Sequence, residues 1–157
     1  MEIEVVVEVP RGSGNKYEMN PATGAIHLDR PLSAALRYPA DYGLVAATLG
    51  EDGDALDALV ILDEPAFPGC HVRCRPIGLF RMADEAGPDV KVLAVPHWDR
   101  RTDIGDLPDS WLAVVRHFFD VYKDLEPGKR TEIVGWDGRE AAEVEVQLAM
   151  ERFTART

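Results

Sequence analysis

The hydrophobic pattern of this chain changes character near residue 107, from short β-type runs to helical spacing. Residues 3 to 9, IEVVVEV, form a β-branched run carrying Glu4 and Glu8, and they read as a strand that RGSGN ends. Further strands are expected at 25 to 28, 43 to 49, 58 to 62, 71 to 82, 90 to 95 and 131 to 135. Pro76 cannot donate to a ladder and marks a bulge or bend in the longest of them. These runs are short, serial and separated by turns, with no helix-length segments between them. A closed or nearly closed small barrel is therefore favoured over a parallel sheet.

Helices come late. Pro108 suits a first helical position, and Trp111, Val115, Phe118, Tyr122 and Leu125 then recur at the spacing of one helix face. A second helix is expected from Asp137, with Glu140 completing a capping box, through Val144, Leu148 and Arg152 to about Arg156. The aromatics of the first helix read as core, with Tyr122 set aside for the site. No linker, repeat or low-complexity tract divides the chain, so residues 1–157 read as a single domain of mainly β, α+β class.

Composition narrows the functional classes. A chain of 157 residues with 46% hydrophobic content can bury a sizeable core. Its formal net charge of -11 opposes nucleic-acid binding, which needs a basic face, and is equally awkward for a membrane surface. No run approaches a membrane span, and MEIEVVVEVP is acidic where a signal peptide would be basic, so a cytosolic location is expected. Cys70 and Cys74 would lie about 13 Å apart on an extended strand, beyond disulfide reach. The four histidines are scattered without HExxH spacing, and neither a GxSxG elbow nor a Walker loop occurs, which moves zinc, covalent and P-loop chemistry aside.

The stretch EDGDALDALV, residues 51 to 60, sets four acids into seven positions ahead of an apolar run. Two carboxylates about 5 Å apart repel by roughly 3 kcal/mol at an effective dielectric near 20. Either these acids point into water around an Asp52-Gly53 turn, or Asp52, Asp54 and Asp57 converge on hard divalent cations. An EF-hand is disfavoured, because counting from Asp52 the sixth position is Asp57 where glycine is needed. ADEAGPDVK repeats the puzzle, with Asp84, Glu85 and Asp89 around a Gly87-Pro88 turn and Lys91 on the strand face of Asp89. Lys16, Arg30, Lys91 and Lys123 each stand beside acidic or aromatic residues, and a site combining carboxylates, cations and Lys or Arg suits phosphate.

Six blocks together carry a resemblance: EVP at 8 to 10, NKYE at 15 to 18, LDRPL with RYPADYG between 28 and 43, DGDALDALV at 52 to 60, MADEAGPDVKVLAVP at 82 to 96, and HFFDVYKDLEPGK at 117 to 129. In order and spacing they resemble the soluble family I inorganic pyrophosphatases. The resemblance implies a five-stranded, OB-like closed barrel flanked by the two helices, pyrophosphate as substrate, several Mg²⁺ ions per site, and a homo-oligomer, commonly a hexamer among bacterial members. Mn²⁺ would substitute, and Ca²⁺ would bind and inhibit.

By that resemblance Asp52, Asp57 and Asp89 would ligate a first metal, Asp57 also a second, and Asp84 with Asp89 a third that arrives with substrate. Glu8 and Glu18 would act mainly through waters around the metals. Asp54 would be the general base. Lys16 and Tyr42 would contact the attacked phosphoryl group, Arg30, Tyr122 and Lys123 would neutralise the leaving phosphate, and Tyr38 and Lys91 would support the site. Two positions depart from the family pattern: Ala55 stands where proline is usual, and Asp41 where asparagine is common. Two other readings remain open on the residues themselves, a barrel whose acidic loops bind divalent ions without turnover, and an OB-like nucleic-acid binder that the charge opposes.

Overall fold

The computed structural model describes residues Met1–Thr157. Eight strands and two helices follow in the order β1 (Ile3–Val9), β2 (Asn15–Met19), β3 (Ile26–Pro31), β4 (Asp41–Val45), β5 (Asp57–Val60), β6 (His71–Asp84), β7 (Gly87–Pro96), α1 (Asp109–Val121), β8 (Thr131–Gly138) and α2 (Arg139–Arg156). The expected barrel is present. Its ring runs β1-β4-β5-β7-β6 and closes by pairing β6 with β1, so no edge is left among the five strands. Only β5 and β7 pair in parallel, while β8 extends the sheet from β6 and β2 with β3 forms a separate hairpin.

Strand alternation divides the core in two. Val5, Val7, Ala58, Val60, Val92 and Ala94 turn inward from β1, β5 and β7 and meet Ala142, Val146 and Ala149 of α2. Their neighbours Leu59, Leu93 and Val95 turn outward against Val115, Phe118 and Phe119 of α1, together with Tyr38 and Tyr42. A register shift between Val7 and Val9 moves Val9 to this outer layer. Gly43 permits the closest approach in the ring, since a Cβ there would stand 1.9 Å from the Val6 carbonyl oxygen. The register of β6 also shifts between Pro76 and Gly78, which is the bulge expected from the proline.

Several expected boundaries move. Residues 46 to 49 leave β4 because the buried Thr48 hydroxyl donates to the Val45 carbonyl and accepts from the Leu56 N–H, closing a turn. Helix α1 ends at Val121, and Leu125 lies beyond it, 70% exposed. Asp137 is not a helix cap: β8 runs on through it, and its carboxylate pairs with Arg81. The start of α2 is capped from afar by Asp103, which accepts from the Arg139 N–H at 3.0 Å. On α2 the stripe of Val144 and Leu148 faces outward, because the helix rests on the barrel through small residues. Cys70 and Cys74 are both free thiols, and burial pushes the Cys74 thiol up to about 12. No helix is long and apolar enough to cross a membrane.

Candidate active site

The site lies where the outer layer runs out of apolar residues. On β5 the outward parity that points Leu59 at α1 points Asp57 to the same side, and on β7 the series Val95 and Leu93 continues with Lys91 and Asp89. Asp57 and Lys91 are register partners on the parallel pair. Lys91 is 1% exposed. Its ammonium donates to Asp57 Oδ2 at 3.0 Å, to both Asp89 oxygens at 3.1 Å and to the Tyr42 hydroxyl at 2.9 Å. The Tyr42 hydroxyl in turn donates to Asp57 Oδ2 at 2.7 Å. Burial pulls the Lys91 pKa down, but Asp57 and Asp89 outweigh it and hold the ammonium charged. Burial raises the Asp89 carboxyl above its usual range, against the opposing pull of Lys91. Tyr42 lies well above its usual range, through burial first and the nearby carboxylates second.

Three loops and the hairpin complete the wall. The loop before β5 folds on itself: Asp52 Oδ1 accepts from the Asp54 N–H at 3.0 Å, and Gly53 takes a φ of +90° that favours glycine. This leaves the Asp52 and Asp54 side chains exposed at the cavity rim. At the β6–β7 turn, Asp84 accepts from the Ala86 N–H at 2.8 Å and faces the Lys123 ammonium at 3.3 Å. Tyr122 and Lys123 follow directly on α1, with burial lifting the Tyr122 phenol. Lys16 and Arg30 project from the β2–β3 hairpin, whose approach to the barrel is fixed by Glu8 accepting from the Met19 N–H at 2.7 Å. Glu8 is buried, and desolvation raises its pKa from 4.5 to about 7.

All fourteen residues singled out by sequence line this one cavity of about 370 Å³. A larger groove of about 590 Å³, beside His97 and Trp98 at the far ends of β5 and β7, gathers none of them. The chemistry of the donor set fits hard divalent cations, because seven carboxylates and no histidine or cysteine stand in the wall. No three of them are drawn together as a ready-made ligand cluster. Instead each cation of the site is held by an acid: Lys91 by Asp57 and Asp89, Lys123 by Asp84, and Lys16 by Asp29.

A protein-family model described as inorganic pyrophosphatase matches residues 5–154. The chain belongs to the inorganic pyrophosphatase family. Among curated relatives, the inorganic pyrophosphatase of Streptomyces coelicolor is 55% identical over 98% of this chain and 96% of its own length. That of Corynebacterium efficiens is 49% identical over 99% of this chain and all of its own. The crystal structure of the Thermus thermophilus inorganic pyrophosphatase superposes with a TM-score of 0.94 at 47% identity, covering 98% of this chain and 91% of that one. The five-strand ring with two helices is thus the fold of this pyrophosphatase family.

Sequence reading gave no role to Asp29, Glu85, Glu126 or Lys129. Lys129 lines the cavity and pairs with Glu85 at 3.1 Å, and Glu126 grips Arg30. Each lies within or beside a recognised block, as in LDRPL and DLEPGK, yet an acid that pairs with a distant cation leaves no periodic signal in the chain.

Proposed function

We propose that this chain hydrolyses pyrophosphate to two orthophosphates in the cavity between the barrel and the β2–β3 hairpin. Membership of the family supports the activity, and the observation that carries the site is the convergence of seven carboxylates and five cationic side chains on a single cavity. Asp52, Asp57, Asp84 and Asp89 would hold Mg²⁺, with Glu8 and Glu18 reaching it through water. When bound, such ions lower the pKa of water toward ~7 and neutralise phosphoryl oxygens.

The protein's own groups take the remaining roles. Asp54, exposed at the rim, accepts a proton as the water oxygen bonds to one phosphorus; the bridging P–O bond breaks, and its electron pair leaves with the second phosphate. Lys16 and Tyr42 receive the attacked phosphoryl group. Tyr42 does so by exchanging its bond to Asp57 for a phosphoryl oxygen, since its hydroxyl has one proton to give. Arg30, Tyr122 and Lys123 neutralise the charge of the leaving phosphate. Tyr38, packed 5.5 Å from Tyr42 ring to ring, and Lys91 hold the wall in place.

The enzyme acts as one domain over residues 1–157. The family's habit supports a homo-oligomer, a hexamer by analogy with bacterial members, and the two free thiols suit a cytosolic location. Phosphate release from pyrophosphate by the purified protein tests the reading: release with Mg²⁺, weaker use of Mn²⁺, and inhibition by Ca²⁺ are expected. Binding of Mg²⁺ without any release would favour a cation-binding barrel that performs no chemistry.

A further inference from the structure

We infer that Glu126 is a positioning residue for Arg30, aiming the guanidinium edge that receives the leaving phosphate; the inference rests on the role proposed above for Arg30. The two residues are 96 positions apart, on different units of the fold. Arg30 stands on the β2–β3 hairpin, outside the barrel ring, and Glu126 stands in the turn after α1. That turn is pinned by the Glu126 N–H donating to the Lys123 carbonyl at 3.0 Å and by the Lys129 N–H donating to the Glu126 carbonyl at 3.2 Å. Pro127 follows and fixes its own φ. The carboxylate therefore projects from a turn tied to the backbone of Lys123, a second cation assigned to the same phosphate.

The division of Arg30's donors carries the argument. Glu126 lies along the side of the guanidinium, Oε2 accepting from Nη2 at 3.2 Å and Oε1 against Nε. Nε is buried, and although Oε1 touches it, the contact is not aligned as a hydrogen bond. Asp29 accepts from Nη1 at 2.7 Å. Of five N–H groups, Nε faces Glu126 without an aligned bond, and one N–H on Nη1 and one on Nη2 have no acceptor, which leaves a donor on each terminal nitrogen for phosphate oxygens. The side chain of Glu126 is 18% exposed and that of Asp29 35%, so Glu126 is the better shielded and less screened of the two anchors. Without Glu126, the guanidinium would be held only by its sequence neighbour on the same hairpin, and its alignment with Lys123 would be lost.

A double-mutant cycle tests this. Arg30→Gln removes the guanidinium, and Glu126→Gln keeps the shape of the anchor but removes its charge. Glu126→Gln should lower kcat/KM by about 10-fold, the scale of one hydrogen bond to a charged group, with Glu126→Asp recovering part of the loss. In the Arg30→Gln background the same change should have no further effect, because residues that act through one another are non-additive. Calorimetric titration of inorganic phosphate into the Mg²⁺-loaded variants gives the same cycle without turnover. Additive losses, with a lowered Tm in both backgrounds, would show a structural role alone and overturn the inference. A gain in kcat/KM or in phosphate affinity on Glu126→Gln would show that Glu126 competes with phosphate, and would overturn it too. If wild-type protein released no phosphate yet showed the non-additive pattern in phosphate binding, the inference would stand and the hydrolase reading would fail.

Discussion

Lys91 and Asp57 face each other across the parallel strands β5 and β7, the ammonium 3.0 Å from the carboxylate and closed off from solvent. A buried ammonium is tolerated here because two carboxylates, a hydroxyl and the rings of Tyr42 and Phe119 surround it. Removing it leaves Asp57 and Asp89 facing one another in a poorly hydrated wall. Lys91→Met should lower the stability of metal-free protein by about 3–5 kcal/mol, the usual scale for breaking one side of a buried pair. Saturating Mg²⁺ should restore part of it by supplying the missing positive charge. Denaturant unfolding in EDTA and in Mg²⁺ measures both; equal stability of variant and wild type in EDTA would refute the account of this wall.

Glu8 makes a pH-dependent prediction for the metal-free protein. Its carboxyl is raised from 4.5 to about 7 by burial, so between those values the folded protein keeps a proton that the unfolded chain has released. Its contribution to stability is therefore greatest below about 4.5, falls as pH rises to about 7, and is level above. The shift corresponds to about 3 kcal/mol at most. Glu8→Gln should flatten this decline when Tm is followed against pH in EDTA. An unchanged slope would assign the decline to other groups.

Ala55, where the family pattern carries proline, sits between the exposed turn and β5, and its N–H meets no acceptor. Ala55→Pro should stabilise the protein by about 0.4–1 kcal/mol through the unfolded chain, provided the loop already holds φ near about -65°. Thermal unfolding with saturating Mg²⁺ checks this. A lower midpoint would mean that the loop before β5 has settled into a shape of its own.

The barrel was legible because β-branched runs and turn residues set the strands, and because the bulge proline announced itself. The hairpin strand Asn15–Met19 was not: NKYEM buries none of its residues fully and shows no apolar alternation. The start of α2 was misplaced because Asp137 and Glu140 have capping spacing, while the real cap, Asp103, is supplied by tertiary structure. Which face of α2 is buried was not legible either, since the alanines at its close contact with the barrel carry a weaker signal than the exposed Val144 and Leu148. The candidate site residues, which share one cavity, were named through the order and spacing of six blocks. Acid clustering alone could not tell Asp54 from Asp57, and Glu126 could be noticed only once Arg30 was seen against it.

The exposed Asp54 and the half-buried Asp57 carry different roles in this account, and their amides separate them. Asp57→Asn removes charge from the cation wall beside Lys91 and should raise the Mg²⁺ requirement as well as lower the rate. Asp54→Asn should leave Mg²⁺ affinity nearly unchanged and lose turnover by roughly 10²- to 10⁴-fold, the span of general base catalysis. The most direct test is calorimetric Mg²⁺ binding by Asp54→Asn set beside its turnover at saturating Mg²⁺. The account predicts wild-type metal affinity with turnover nearly abolished; metal affinity lost as severely as in Asp57→Asn would make Asp54 a ligand and contradict its role as the base.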